Sequence, residues 1–201
     1  SGQSGERIRQ LKANCDFAVY TPGSSAGAPL AVLSEFTRPA PEVRADSDIY
    51  NDLIEGTCNG LLSLLSIDAE PVSSKEHILI SNVLRTCWDA GISLDLAGLI
   101  NAVQKPPFSK VGVIDLDTFY PPKQRFALAM QINNLLAAPG FAAWMEGPAL
   151  DIDQLLNTAS GQPRITVLSI AHLDDRQRMF FVTILLNALV AWMRRQSGSS
   201  G

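Results

Sequence analysis

The residues from 164 to 195 constrain the fold more than any other part of this chain. Residues 164–172, RITVLSIAH, form an almost unbroken apolar and β-branched run, which predicts a strand buried on both faces. Asp174 follows as a candidate N-cap, and residues 179–193 predict a long, well-buried helix that closes on Arg194 and Arg195. A strand and helix in this order are half of a βαβ unit, and one strand cannot pair its own backbone. The fold therefore needs at least one further strand.

A second short strand is predicted near the start of the chain. Residues 16–20, DFAVY, follow the tail of a helix over about residues 6–12 and lead into a small polar loop, TPGSSAG, at 21–27. We expect the two strands to be neighbours or near neighbours in one sheet, with a helical insertion in place of an ordinary crossover.

The residues between the two strands predict several helices. Asp46 or Ser47, Ser74 and Asp95 are candidate N-caps, and apolar residues recur after each of them at spacings of three and four. Residues 108–120 predict an irregular bridge with a small apolar cluster.

These elements define the expected fold class and organisation. The chain is predicted to be mainly α with a small β component, in which two short buried strands flank a multi-helix insertion and a long buried helix follows. The three parts are residues 1–36 with the first strand and its loop, residues 37–160 with the helical insertion, and residues 161–201 with the second strand and the long helix.

Composition bounds the class of protein. The 201 residues are 46% hydrophobic and 18% charged, with a net charge of −4, which is typical of a folded globular protein without a dominant polyanion-binding surface. The apolar run 179–193 is shorter than the roughly 20 residues of a membrane span. We expect a cytoplasmic protein. The chain does not begin with methionine and its ends, residues 1–5 and 197–201, are small and flexible in type, so we expect a fragment.

Cysteine and histidine usage gives no support to a metal site. Cys15, Cys58 and Cys87 are widely spaced and contain no C-x-x-C pair, so reduced thiols are expected. His77 and His172 are far apart in sequence, and His77 is predicted to be a cap-region or surface residue.

The loop at residues 21–27 admits two interpretations. It follows a strand at the edge where open α/β sheets bind ligands, so its backbone N–H groups could contact an anion. It could equally be a plain turn, because no G-x-x-x-x-G-K-[ST] pattern occurs here or elsewhere in the chain.

Several short blocks together resemble a known family. They are YTPGSSAG at 20–27 with PL at 29–30, PPF at 106–108 with VGV at 111–113, RFALAM at 125–130 with NNLL at 133–136, PGF at 139–141, SIAHL at 169–173 and RMFFVT at 178–183. These blocks resemble the middle section of bacterial HerA/FtsK-superfamily ATPases, over about residues 16–192.

The resemblance implies a role within a larger machine. Members of that superfamily have a RecA-like core that binds ATP and magnesium, and they move DNA or protein, commonly as hexameric rings. The resemblance places this chain after the phosphate-binding loop and before the acidic magnesium-binding strand, so no residue here is assigned a catalytic role or a metal. We expect the chain alone not to hydrolyse ATP. Its expected partners are the rest of the parent chain, further copies in a homo-oligomer and a protein partner, with nucleic acid reached only through the parent and no membrane span.

Five residues are the candidates for functional contacts. Ser24, Ser25 and His172 follow the two strands and are expected near the nucleotide. Arg176 and Arg178 lie in the first turn of the long helix, a poor position for a cation, and are candidates for contacts between subunits. Each of the five has a structural alternative, as a strand-end or surface residue. The alternative function for the whole chain is a self-contained helical protein-interaction domain with no nucleotide role.

Overall fold

The computed structural model describes residues 4–32 and 36–196. The end segment 197–201, expected to be flexible, lies outside these residues, as do residues 1–3. In chain order the elements are α1 Gly5–Asn14, β1 Asp16–Tyr20, α2 Pro41–Ala45, α3 Ser47–Leu64, α4 Lys75–Asp89, α5 Leu96–Gln104, β2 Lys110–Val111, β3 Ile114–Asp115, α6 Leu116–Phe119, α7 Pro122–Ala137, a 3-10 turn Ala142–Trp144, α8 Ile152–Leu156, β4 Arg164–Leu168 and α9 Asp175–Arg195. The predicted fold class, mainly helical with a small β component, is confirmed.

The two long strands pair as the sequence predicts. β1 and β4 are parallel neighbours, with Asp16 opposite Arg164 and Tyr20 opposite Leu168. The Arg164 guanidinium donates to the Asp16 carboxylate at 2.7 Å, so an ion pair fixes the register at the start of both strands. β4 ends at Leu168, earlier than the predicted residue 172, and the chain turns away beyond it.

The prediction that residues 164–172 form a strand buried on both faces is wrong, and β1, predicted to be a short buried strand, is also open on one face. Alternate residues of both strands point to a covered face, where α8 packs beneath β4 and the Thr166 hydroxyl donates to the Leu155 carbonyl oxygen. Residues on the opposite face are between 38% and 56% exposed; they are Phe17, Val19, Ile165 and Val167. We call these four residues the open sheet face. An apolar run indicates a buried strand only when a second layer covers it, and none of the described residues does.

Side-chain caps begin the helices where the sequence predicts them. Asp46 accepts from two backbone N–H groups at the start of α3, Ser74 accepts from the His77 N–H at the start of α4, and Asp95 accepts from the Gly98 N–H at the start of α5. At α9, Asp174 and Gln177 form a reciprocal capping box.

Helices α3 and α9 form the closest helix pair. They run antiparallel, because Arg194 at the end of α9 is 3.6 Å from Asp46 before α3, while Arg176 at the start of α9 contacts Ser66 after α3. Gly56 and Gly60 of α3 make this approach possible: a methyl group at Gly60 would lie 3.0 Å from the Phe180 ring. The pair therefore joins the helical part of the chain to the helix that follows β4.

One apolar core extends through all three predicted parts of the chain. It includes Leu30 from the first part, many helix residues such as Leu84 and Trp144 from the second, and Phe180 and Phe181 from the third. The bridge at 108–120, predicted to be irregular, contains the short hairpin β2–β3 and α6. Within the described ranges, no helix has the length and apolar character needed to cross a bilayer.

Candidate functional site

The carboxyl ends of β1 and β4 lie side by side and bring two loops together. Ser169 donates its backbone N–H to the Tyr20 carbonyl oxygen at 2.9 Å, which extends the strand pairing by one residue. One turn later His172 Nε2 lies 2.9 Å from the Pro22 carbonyl oxygen. The two loops that follow the strands are therefore joined by the backbone and by an imidazole.

The contact of His172 defines its hydrogen-bonding role. A carbonyl oxygen only accepts, so Nε2 must carry the proton, and Nδ1 is left as an acceptor in the neutral ring. The side chain is otherwise exposed at the sheet edge. His172 thus holds the two loops together at the edge where the sequence predicts ligand contacts.

The loop at residues 21–28 closes largely on itself. Thr21 donates its N–H to Ala28 O at 2.7 Å, Ser24 donates to Thr21 O at 3.1 Å, and Ala26 donates to the Ser24 hydroxyl at 3.3 Å. These three N–H groups are already used, so they could meet an anion only after the loop rearranges. Gly23 packs on a ring of the core, because a methyl group there would lie 2.5 Å from Trp144 Cε2.

The serines of this loop have different environments. Ser24 is half-buried and caps a turn of the loop, whereas Ser25 is exposed. Both follow β1 at the edge shared with His172, as the sequence predicts, but the imidazole contacts Pro22 and not the serines. The structure thus brings the three residues to one edge without joining them in a hydrogen-bonded group.

The two arginines at the start of α9 are engaged in different ways. Arg178 is committed locally, since it donates to Asp175 at 3.0 Å and to the Leu173 carbonyl oxygen at 2.9 Å. Arg176 reaches across to the Ser66 hydroxyl, and both line a polar recess between the end of α3 and the start of α9. Arg178 therefore organises the helix start, and Arg176 links the two helices.

His77 was predicted to be a cap-region or surface residue, and its burial is the main correction to the predicted polar residues. It lies in the first turn of α4, as predicted, but only 2% of it is exposed. Neither ring nitrogen has a hydrogen-bond partner among the described residues. Burial lowers the pKa of His77 below its usual range, and the nearby Glu55 carboxylate opposes this only in part. The ring is therefore neutral at pH 7.

We expect the buried imidazole to make stability depend on pH. The unfolded chain protonates His77 at its ordinary pKa of about 6.5, whereas the folded chain resists protonation, so the free energy of unfolding decreases as pH falls below about 6.5. His77→Phe should remove this part of the decrease. Urea unfolding measured at about pH 7.5 and about pH 5.5 tests the prediction. His172→Gln is the control, and its free energy of unfolding should decrease between about pH 7.5 and about pH 5.5 as in the parent. An equal decrease in the parent and in His77→Phe would contradict the prediction.

A polar pocket surrounds His77. It has a volume of about 330 Å³, lies between α3 and α4, and is lined by the polar residues Asn51, Glu55, His77, Ser81, Asn82 and Arg85. Most of these residues recur at spacings of four, at 51 and 55 on α3 and at 77, 81 and 85 on α4, beside the apolar stripes. That second periodicity is the sequence signal for this pocket, and it is masked by the stronger apolar one.

The cysteines and acidic residues do not assemble into a reactive or metal-binding group. Burial raises the pKa of the Cys58 and Cys87 thiols, which keeps both in the unreactive neutral form. Cys15, Cys58 and Cys87 are free thiols. Within residues 4–32 and 36–196, no three His, Cys, Asp or Glu side chains come together as metal ligands would.

The chain was compared with models of protein families, with curated proteins and with solved structures. None of the three comparisons returns a match.

Proposed function

We propose that this chain is a non-catalytic segment of a RecA-like ATPase of the HerA/FtsK type, which contributes two core strands and a helical insertion to an ATP-driven motor. The open sheet face is the observation that carries this proposal. A two-stranded sheet is marginal by itself, and parallel sheets are normally covered on both faces by the rest of an α/β domain. β1 and β4 expose Val19 and Val167 directly opposite each other, at 56% and 50%. Further strands and a covering layer would bury these side chains.

The loops at the carboxyl ends of the strands support a position for this segment beside the nucleotide site of such a motor. In open α/β sheets the ligand lies outside these ends. His172 joins the loop after β1 to the loop after β4, and α9 begins three residues later. In this proposal ATP and magnesium are held by other parts of the parent, and His172 and the Ser24–Ser25 loop form the neighbouring wall. We further propose that the parent forms a homo-oligomer in the reducing cytoplasm. Nucleic acid is then contacted only by other parts of the parent.

The nucleotide sequence that flanks this segment in its reading frame tests the proposal. We expect G-x-x-x-x-G-K-[ST] upstream and an apolar strand that ends in Asp-Glu downstream, because phosphoryl transfer needs the backbone amides, lysine and magnesium-binding acid that these supply. The control is the same pattern search in the other reading frames, which should find neither. A continuous frame that lacks both motifs would refute the ATPase proposal.

A helical protein-interaction domain is the second candidate, and α9 favours it. Met179, Leu186 and Met193 recur at seven-residue intervals along α9 and are all exposed, as is Val190 beside them. An exposed apolar stripe with this spacing is typical of helices that pack against a partner helix. This function requires no flanking motif, so the same sequencing experiment separates it from the first.

A further inference from the structure

A largely apolar cavity lies where α3, α4 and α9 meet the segments at residues 31–37 and 149–150. It has a volume of about 350 Å³, and none of the described residues that line it is charged. Leu53, Leu150, Ile184 and Ala188 are half-buried, so apolar surface remains in the cavity for a ligand to cover. This size and lining are at the lower end of the range for small-molecule sites.

Backbone hydrogen bonds hold the walls of the cavity in place. The Ala31 N–H donates to the Pro148 carbonyl oxygen, and the Leu150 N–H donates to the Ala31 carbonyl oxygen, both at 2.9 Å. Phe36 and Leu94 exchange backbone hydrogen bonds of 2.6 and 3.1 Å. The walls are therefore formed before a ligand binds, which spares the ligand the cost of ordering these segments.

The two buried polar side chains of the lining have already used their protons. The Thr57 hydroxyl donates to the Leu53 carbonyl oxygen at 2.7 Å, and Trp88 Nε1 donates to the Phe36 carbonyl oxygen at 3.0 Å. Thr57 is 7% exposed and Trp88 is 2% exposed. Neither side chain therefore has a proton left to donate to a ligand.

Asn187 supplies a hydrogen-bond acceptor. Its Nδ2 is buried against Gly56 of α3, where a methyl group would overlap it, and it has no partner among the described residues. Its Oδ1 is not fully buried, and it accepts no hydrogen bond from residues 4–32 and 36–196. An amide oxygen only accepts. The lining is therefore suited to an uncharged ligand that donates one hydrogen bond.

We propose that this cavity binds a small, uncharged, bicyclic aromatic molecule whose single N–H or O–H group donates to Asn187 Oδ1, with its rings against Leu53, Ile184 and Ala188. An apolar protein cavity of about 150 Å³ holds one benzene ring, and this cavity has about twice that volume. A charged ligand would lose its hydration here without gaining a charged partner. The site does not depend on either function proposed above.

Isothermal titration calorimetry with three related probes tests the proposal. Indole donates one N–H, 1-methylindole has no donor, and indole-3-carboxylate carries a negative charge. We expect saturable binding of indole at one site. Binding of 1-methylindole should be weaker by about fivefold, as for the loss of one hydrogen bond. Indole-3-carboxylate should show no measurable binding.

Three variants identify the site and its acceptor. Ala149→Phe places a large side chain at the exposed rim of the cavity and should abolish indole binding. Ala142→Phe, also an exposed change but outside the cavity, is the matched control and should bind as the parent does. Asn187→Leu removes Oδ1, so it should bind indole and 1-methylindole equally. It also removes the unpartnered Nδ2, so we expect it to fold.

Two results would overturn the proposal. One is indole binding that is absent, unsaturable or unchanged in Ala149→Phe. The other is equal affinity of the parent for indole and 1-methylindole. Should Ala149→Phe fail to fold, the comparison of these two probes in the parent and in Asn187→Leu still decides the question. Neither result bears on the ATPase proposal, which the flanking sequence tests separately.

Discussion

Replacing Gly147 by alanine is expected to destabilise the fold more than the same change at any other glycine with positive φ among residues 4–32 and 36–196. Gly147 has a φ of +89°, and a methyl group there would overlap the Pro29 carbonyl oxygen and lie 2.7 Å from its carbon. Both atoms belong to backbone that cannot rotate away. The backbone conformation costs about 1–2 kcal/mol and the overlap about 1–3 kcal/mol more. Urea unfolding of Gly147→Ala measures the sum.

Gly91 provides a closely matched control for this change. Its φ of +86° is nearly the same, but apart from Gly91 itself and its two chain neighbours no described residue has an atom within 4 Å of the position that a methyl group would occupy. Gly91→Ala should therefore show only the backbone cost of about 1–2 kcal/mol. Equal losses in the two variants would mean that the chain at residues 29–32 moves freely away from residue 147.

Replacing Arg125 by methionine is expected to cause the second large loss of stability. Arg125 is buried at the start of α7 and donates to the Tyr120 carbonyl oxygen at 2.7 Å, to Gln104 O at 3.3 Å and to Asp117 at 2.9 Å. Methionine fills similar space but leaves the two carbonyl oxygens without this donor. Hydrogen bonds to a charged group contribute about 1.5–3 kcal/mol each, so the loss of the two carbonyl contacts is expected to cost about 3–6 kcal/mol in chemical denaturation.

Two further variants separate the contributions of Arg125. Lys123→Met, an exposed change in the same helical turn, should alter stability by less than about 0.5 kcal/mol. Asp117→Asn should also cost less than about 1 kcal/mol, because the Asp117 side chain is 72% exposed and its ion pair is screened by water. A large loss in Asp117→Asn would assign the stability to the ion pair instead of the carbonyl contacts.

Local signals are sufficient to predict the main helices and the strands β1 and β4 in their order, but not α2, the hairpin β2–β3 or α6. The caps at Asp46, Ser74, Asp95 and Asp174 begin helices because their side chains accept backbone N–H groups within the next three residues, an interaction contained in a few positions of sequence. The sequence also predicts that β1 and β4 are neighbours or near neighbours in one sheet, because neither strand can satisfy its backbone alone, and the structure pairs them directly and in parallel.

Burial was less predictable, since it depends on residues far away in sequence. The apolar pattern of β4 does not reveal whether a second layer covers Ile165 and Val167, and in this structure both are exposed. The outcome for His77 is the opposite. Its position at the start of a helix suggests an exposed side chain, but only 2% of the residue is exposed. Arg125 was not recognised, because a single arginine in a helix carries no local sign of the three oxygens that it meets.

The candidate site was predicted only in its location. Ser24, Ser25 and His172 lie at one sheet edge because parallel strands end together, which follows from topology alone. The Nε2–H contact of His172 with Pro22 depends on the conformation of two loops and has no sequence signature. The pocket around Arg85 and His77 arises from the relative rotation of α3 and α4, which sequence periodicity constrains only loosely.

The close packing of α9 on α3 has a mechanical consequence. α9 begins at the sheet edge directly after the His172 loop, and its 21 residues extend for about 30 Å. Gly56 and Gly60 let the Asn187 and Phe180 side chains of α9 lie directly against the α3 backbone, so we expect the two helices to move together. A rotation of about 5° at the loop would displace the far end by about 3 Å over that length. A small movement at the strand ends would thereby displace α9 and the α3 helix of the insertion together.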